Sequence, residues 1–200
     1  TAGSTPATSG TNAYHIKSNA SAIYQGSPVI ATNDGTVAVS SSASGDTLKF
    51  LGVFAGCEYV SSSTGKKVFS NYWPGSGADT NFDIIANVYD NPMQRYIVCS
   101  DASLTDKATA IAAIFESAEF SAESNKGAAD GSTTTGISAA QLDVSTVDAA
   151  DLSHPLKIVG ILDDPENADF TAAGIPLIVM INNHALTAPA TGGSAEGAIS

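Results

Sequence analysis

Short apolar segments separated by turn residues are the feature that most limits the fold of this chain. They recur through the first hundred residues and are rich in β-branched and aromatic side chains, as strands are: AIYQG, SPVIATNDGTVAVSS, TLKFLGVFAGCEYV, KKVFSNYW, FDIIANVY and QRYIVCS. Within the second segment, Asn33-Asp34-Gly35 predicts a hairpin with a two-residue turn, because Asp-Gly accepts the positive φ angles that such a turn requires. Turns spaced about 8–12 residues apart are typical of a β-sandwich or a small β-barrel.

The second half of the chain repeats this pattern with a minor helical part. Residues 103–116 are rich in Ala, and Ser103 and Asp106 stand at the spacing of a capping box, which predicts one short helix. Residues 137–152 are expected to hold a further helical turn, and two buried strands are expected around 156–162 and 176–183. The predicted fold class is mainly β, with one or two small barrel or sandwich modules.

Both ends of the chain lack apolar periodicity. Residues 1–13 are expected to form an extended N-terminal arm, and residues 188–200 a C-terminal tail, each of which orders against a partner. The predicted organisation between them is a β-rich module over 14–102 and a second β-rich module, carrying the short helix, over 103–187.

Composition and charge exclude several classes of partner. Only 14% of the residues are charged, against about 25% in ordinary soluble domains, so part of the surface is expected to be buried in an assembly. The net charge is −12, and Lys66-Lys67 is the longest basic run, which argues against nucleic acid and anionic membranes as partners. The longest apolar runs are near seven residues, well below the roughly 20 that a membrane span needs.

The two cysteines are expected to be free thiols, since a protein made and assembled in a reducing cytoplasm does not keep disulfides. Cys57 is the candidate nucleophile, but its neighbour Glu58 is an anion that would raise the thiol pKa, and strand alternation turns the two side chains to opposite faces. A buried strand residue is the favoured interpretation of Cys57. The glycines at 52, 56 and 75 are expected at bends or bulges, because no helix follows them to complete a phosphate loop.

Metal sites are equally poorly supported by the sequence. Asp163, Asp164, Glu166, Asn167 and Asp169 form an acidic loop with oxygen donors for calcium, but their spacing does not match the twelve-residue calcium loop. The three histidines are scattered and lack the partners of a zinc site. We therefore predict no catalytic residue, no metal and no cofactor. Tyr72 and Trp73, in NYWPG, are either an exposed recognition platform or, as we favour for Trp73, the cover of a barrel end.

Several of these segments together resemble a family of virion structural proteins of tailed bacteriophages from aquatic and marine hosts. The resemblance spans about residues 14–187. It is carried by AIYQGSPVIATNDGTV, by LGVFAGCEYVSSSTGKKVFSNYWPG, by ANVYDNPMQRYIV, by GSTTTGISAAQLD and by HPLKIVGILDDPENADF with the later NNH. Family members commonly have Arg between a Gly and a Ser where this chain has Ile137, so any role of that Arg is lost here.

The resemblance implies a capsid decoration, or cement, protein without enzymatic activity. Such a protein binds the outer surface of the capsid, bridges subunits of the major capsid protein and is often a homotrimer. Partner contacts are expected from Pro6, Tyr14 and Ile16 in the N-terminal region, and from Tyr72 and Trp73. The alternative is a virion adhesive module in which Tyr72 and Trp73 stack on the sugar rings of a host surface polysaccharide. A thiol or carboxylate hydrolase ranks third.

Overall fold

The chain is mainly β in a computed structural model, which describes residues 10–17, 19–40, 50–148, 153–162 and 169–187. The described strands are β1 (Thr11–Ile16), β2 (Pro28–Ala31), β3 (Thr36–Val39), β4 (Phe50–Val60), β5 (Lys67–Ser70), β6 (Ile84–Tyr89), β7 (Tyr96–Cys99), β8 (Ser117–Ala118), β9 (Leu156–Ile161) and β10 (Pro176–Ile181). The described helical parts are the short helix α1 (Lys107–Ala112) and a 3-10 turn at Val144–Thr146. The predicted fold class is confirmed. None of the helices in these ranges is long and apolar enough to cross a membrane.

The first sheet closes on itself as a five-stranded barrel. Its strands are ordered β2-β3-β1-β6-β4, and β4 pairs in turn with β2. The β1–β3 pair is parallel and the other pairs of the ring are antiparallel. β5 extends the sheet outside the ring by pairing with β4. Closure leaves the ring strands without open edges and turns one face of each strand inward.

The hairpin at residues 32–36 forms where it was predicted, but its loop is one residue longer. The amide of Thr32 donates to the carbonyl of Thr36 at 2.9 Å, so three residues, 33–35, form the loop. Of these only Gly35 has a positive φ, +76°. A three-residue loop with glycine in the left-handed conformation is the next most common hairpin after the two-residue turn.

The barrel interior is filled by side chains from every strand of the ring. Its buried apolar residues are Ile16, Ile23, Val29, Val37, Leu51, Phe54, Cys57, Trp73, Ile84, Ala86 and Val88.

Two glycines of β4 determine how this strand packs against β6. At Gly52 a Cβ atom would lie 2.0 Å from the backbone oxygen of Tyr89, and Gly56, with a φ of +153°, sits at a register shift against β6. The expected bulge is therefore present at Gly56.

The second sheet has the order β7-β10-β9-β8 and covers its own apolar core. β7 lies within the segment that the sequence assigned to the first module, yet it pairs with β10, so the second sheet begins before residue 103.

Helix α1 is shorter than residues 103–116. Its N-cap is Asp106, whose Oδ1 accepts a bond from the Thr109 amide at 2.7 Å, and Ser103 is not the cap.

The two modules are joined through the beginning of β4. The ring of Phe50 packs in the second core, against Phe120 at a centroid distance of 5.5 Å. The backbone of Phe50 bonds to the segment after β10, with its amide 3.1 Å from the Asn183 carbonyl and its carbonyl 2.8 Å from the Ala185 amide.

Of the predicted N-terminal arm, Thr11–Ala13 belong to β1, whereas residues 1–9 and the predicted tail 188–200 lie outside the described residues.

Candidate interaction surface

Two of the three residues predicted for the N-terminal contact, Tyr14 and Ile16, belong to β1 of the barrel. Ile16 is buried in the barrel core. Tyr14 is half-buried, and its hydroxyl donates to Asp90 Oδ2 at 2.5 Å. The Asp90 carboxylate, itself buried, also accepts from Asn12 Nδ2 at 2.8 and 3.0 Å. Pro6 lies outside the described residues.

Trp73 is enclosed in the barrel, which decides between the two interpretations of NYWPG. Its side chain has no exposed surface, its Nε1 donates to the Ala20 carbonyl at 3.2 Å, and its ring meets Tyr59 edge-on at 5.3 Å. Tyr72 is half-buried and stacks on Tyr24 with a centroid distance of 5.9 Å. Trp73 is therefore part of the barrel core and not an exposed platform in the described structure.

Cys57 is a buried thiol and not an exposed nucleophile. Both thiols are free, as expected. Burial raises the pKa of Cys57 to about 12, and its Sγ donates weakly to the Tyr72 carbonyl at 3.4 Å, so the thiolate is not populated at neutral pH. Within the described ranges no three His, Cys, Asp or Glu side chains are grouped so that they could hold a metal ion. Of the predicted acidic loop, Asp163, Asp164, Glu166 and Asn167 lie outside the described residues.

A buried polar cluster lies where the two modules meet. His184 is 3% exposed, its Nδ1 accepts from the Leu186 amide at 3.1 Å, and its Nε2 is buried without a hydrogen-bond partner. Burial lowers the pKa of His184, against an opposing effect of the Asp90 carboxylate. Burial and the bond to Asp90 raise the pKa of Tyr14 to about 12. The buried polar cluster therefore consists of His184, Tyr14 and Asp90, with the His and Tyr side chains neutral. We assign it a role in stabilising the fold.

An uncharged cleft of about 380 Å³ lies between the barrel and the second sheet. This inter-module cleft is lined by residues 96–99 of β7, by the segment 137–141 and by Gln25 and Gly26 of the barrel. Phe50, Phe120 and Leu156 are among the apolar residues that also line it. Of the described residues that line the cleft, none is charged, although the chain as a whole carries a net charge of −12.

Several large apolar side chains stand exposed on the surface. They are Phe69, Phe82, Tyr89, Met93, Ile97, Ile111, Phe115, Ile137, Leu162 and Leu186. Ile97 and Ile137 flank the inter-module cleft, and Cys99 is exposed beside them. Phe115 is 73% exposed with a φ of +76°, a backbone conformation that is strained for a bulky residue, and its amide donates to the Ile158 carbonyl at 2.8 Å.

Lys67 of the basic pair is engaged within the protein. The ammonium of Lys67 binds Glu58 Oε1 at 2.8 Å and lies 5.4 Å from the centroid of the Phe69 ring. Its charge is therefore largely compensated within the protein.

Comparison of the chain with protein-family models, with curated proteins and with solved structures finds no match in any of the three.

Proposed function

We propose that the chain is a structural virion protein that decorates the exterior of a phage capsid and stabilises it by bridging subunits of the major capsid protein. It acts without catalysis and assembles as a homotrimer. The observation that carries the proposal is the number of large apolar side chains exposed on a chain with few charges: Phe69, Met93 and Phe115 are each more than 70% exposed. Phe and Met are enriched in the buried centres of protein interfaces relative to the rest of the surface.

The strained conformation of Phe115 supports an interface role. Holding an exposed aromatic residue at a positive φ costs roughly 1–3 kcal/mol, and such strain concentrates at functional positions. Ile111 of α1 is also exposed, and Phe115 follows three residues after the end of that helix. Many weak contacts of this kind add up on a capsid lattice, because each decorating trimer binds at several points.

The adhesive alternative has less support. It relied on Tyr72 and Trp73 stacking on sugar rings, but Trp73 is fully buried and Tyr72 is stacked on Tyr24. A hydrolase is supported still less, since Cys57 is a buried thiol with a raised pKa.

Co-sedimentation tests the proposed function. Purified protein is mixed with phage heads that have been stripped of it, and the bound fraction is measured after sedimentation. We expect copy numbers in the hundreds on expanded heads, and we expect stripped heads to lose their DNA at a lower temperature than decorated heads, because the protein binds only the assembled shell. Failure of the protein to sediment with heads, together with binding to purified host glycan, would refute the proposal in favour of the adhesive module.

A further inference from the structure

The inter-module cleft has the form of a wedge between β7 and the segment 137–141. The two chains run parallel and meet at the Ser100–Leu142 bridge. At its other end the segment is held to the barrel, where the Ser138 amide donates to the Gln25 carbonyl at 2.9 Å. β7 is instead held to β10, so the wedge opens between them.

The backbone of β7 presents unused hydrogen-bonding groups to this wedge. The Leu142 amide donates to the Cys99 carbonyl at 2.9 Å, so the backbone groups of Cys99 face away from β10. Because the N–H and C=O of alternate residues in an antiparallel strand point to the same side, those of Ile97 face the wedge too. Among the described residues, no backbone group bonds to the outward N–H or C=O of Ile97. β7 is therefore an edge strand that is open over its first half.

A side-chain acceptor in the cleft also lacks a donor. Gln141 Oε1 is buried and has no hydrogen-bond partner, and Gln141 lines the cleft. Buried polar atoms are almost always satisfied, so an unpaired acceptor at a cleft wall indicates a missing donor. An incoming backbone N–H supplies one.

We propose that the inter-module cleft receives one extended, uncharged segment of the major capsid protein, which adds to the edge of β7 as a further strand. This inference rests on the proposed function. The lining fixes the chemistry of the segment: uncharged walls favour small or aliphatic side chains, and the open edge of β7 calls for peptide groups at strand spacing. A second copy of β7 at this edge would slow the exchange of the Ile97 amide already in the free protein, which the test below detects.

Hydrogen exchange on the wild-type protein tests the added strand directly. Deuterium uptake over 95–99 is compared between the free protein and the protein bound to stripped heads. We expect the amides of Ile97 and Cys99 to exchange fast in the free protein and at least tenfold more slowly on heads, with Cys99 protected from a maleimide in parallel. Slow exchange already in the free protein, which would place a segment of the same chain in the cleft, overturns the proposal. So does protection of the Cys99 thiol without protection of these amides, which a small apolar ligand would give.

A proline variant tests the same backbone donor by mutation. Ile97→Pro removes an outward N–H and keeps the ladder with β10, because proline is tolerated at such edge positions. The matched control, Ile97→Thr, changes the side chain and keeps the donor. We expect Ile97→Pro to bind stripped heads at least tenfold more weakly than wild type and Ile97→Thr to bind within threefold of it. If wild type does not sediment with heads, the proposed function itself fails; if Ile97→Pro sediments as well as wild type, only the added strand is refuted.

Discussion

Replacing Tyr14 by Phe separates a structural role of this residue from the partner contact that the sequence suggested. The substitution removes the hydroxyl that donates to Asp90 Oδ2 at 2.5 Å. The carboxylate, only 4% exposed, keeps the side-chain amide of Asn12 as a donor. A hydrogen bond to a charged group contributes about 1.5–3 kcal/mol. We therefore expect the free energy of unfolding to fall by about 2 kcal/mol, or roughly 4–8 °C in Tm for a chain of this length.

Urea denaturation at neutral pH measures this change, with the m-value as a check that the unfolded surface is unaltered. The matched control is Tyr72→Phe, which removes a hydroxyl from a tyrosine held by stacking on Tyr24, and which we expect to change the free energy by less than about 0.5 kcal/mol. The reasoning is refuted if Tyr14→Phe is as stable as wild type. Weaker binding to heads at unchanged stability would make Tyr14 a partner contact after all.

The stability of the same variant is expected to depend on pH differently from that of wild type. The pKa of Tyr14 is raised to about 12, above the ordinary value of 10.0, so the folded protein keeps this proton when the unfolded chain has lost it. The stability that the protonated hydroxyl contributes is complete below pH 10 and is lost as the pH rises toward 12. Wild type should accordingly lose stability more steeply than Tyr14→Phe over that interval.

Three further predictions follow from single contacts. Gly52→Ala should destabilise the fold by at least about 3 kcal/mol in urea denaturation, since its Cβ would lie 2.0 Å from the backbone oxygen of Tyr89; wild-type stability would contradict that approach. A maleimide should label Cys99 and spare Cys57 in mass spectrometry of the native protein, and equal labelling would show that Cys57 is accessible. Because burial lowers the pKa of His184, stability should fall as the pH drops below about 6.5, and His184→Asn should lose less over that range; identical pH profiles would argue against a buried neutral imidazole.

Local patterns in the sequence predicted local structure well. The mainly β class, the hairpin at 32–36 and the short helix are all encoded by residues close to one another in the chain. The errors have physical causes. The hairpin loop gained a residue because Asp34 kept a negative φ while its carboxylate accepted a bond from Thr36 Oγ1 at 2.7 Å. The helix begins at Lys107 because the side chain of its N-cap, Asp106, accepts a bond from the Thr109 amide.

The first residues of β1 and the cleft depend on contacts between distant residues, which a single sequence does not display. Thr11–Ala13 have no apolar alternation, and they become part of β1 because β6 provides a partner for each of them. Ile97 and Ile137, forty residues apart, flank the same cleft only because β7 joins the second sheet. Ile97 and Cys99 alternate with other residues in QRYIVCS and are both exposed, so a strand with an outward apolar face could be predicted there. The part of the protein opposite that face could not be predicted.

The position of Phe50 is expected to couple the unfolding of the two modules. This first residue of β4 places its ring in the core of the second sheet, while Leu51 and Phe54 of the same strand fill the barrel. Unfolding either module therefore uncovers part of the other, and calorimetry should record one heat-absorption peak with equal calorimetric and van't Hoff enthalpies. Neither module is then expected to fold when it is transferred to another protein without the other. Substitutions where they meet, in evolution as in engineering, have to suit both modules.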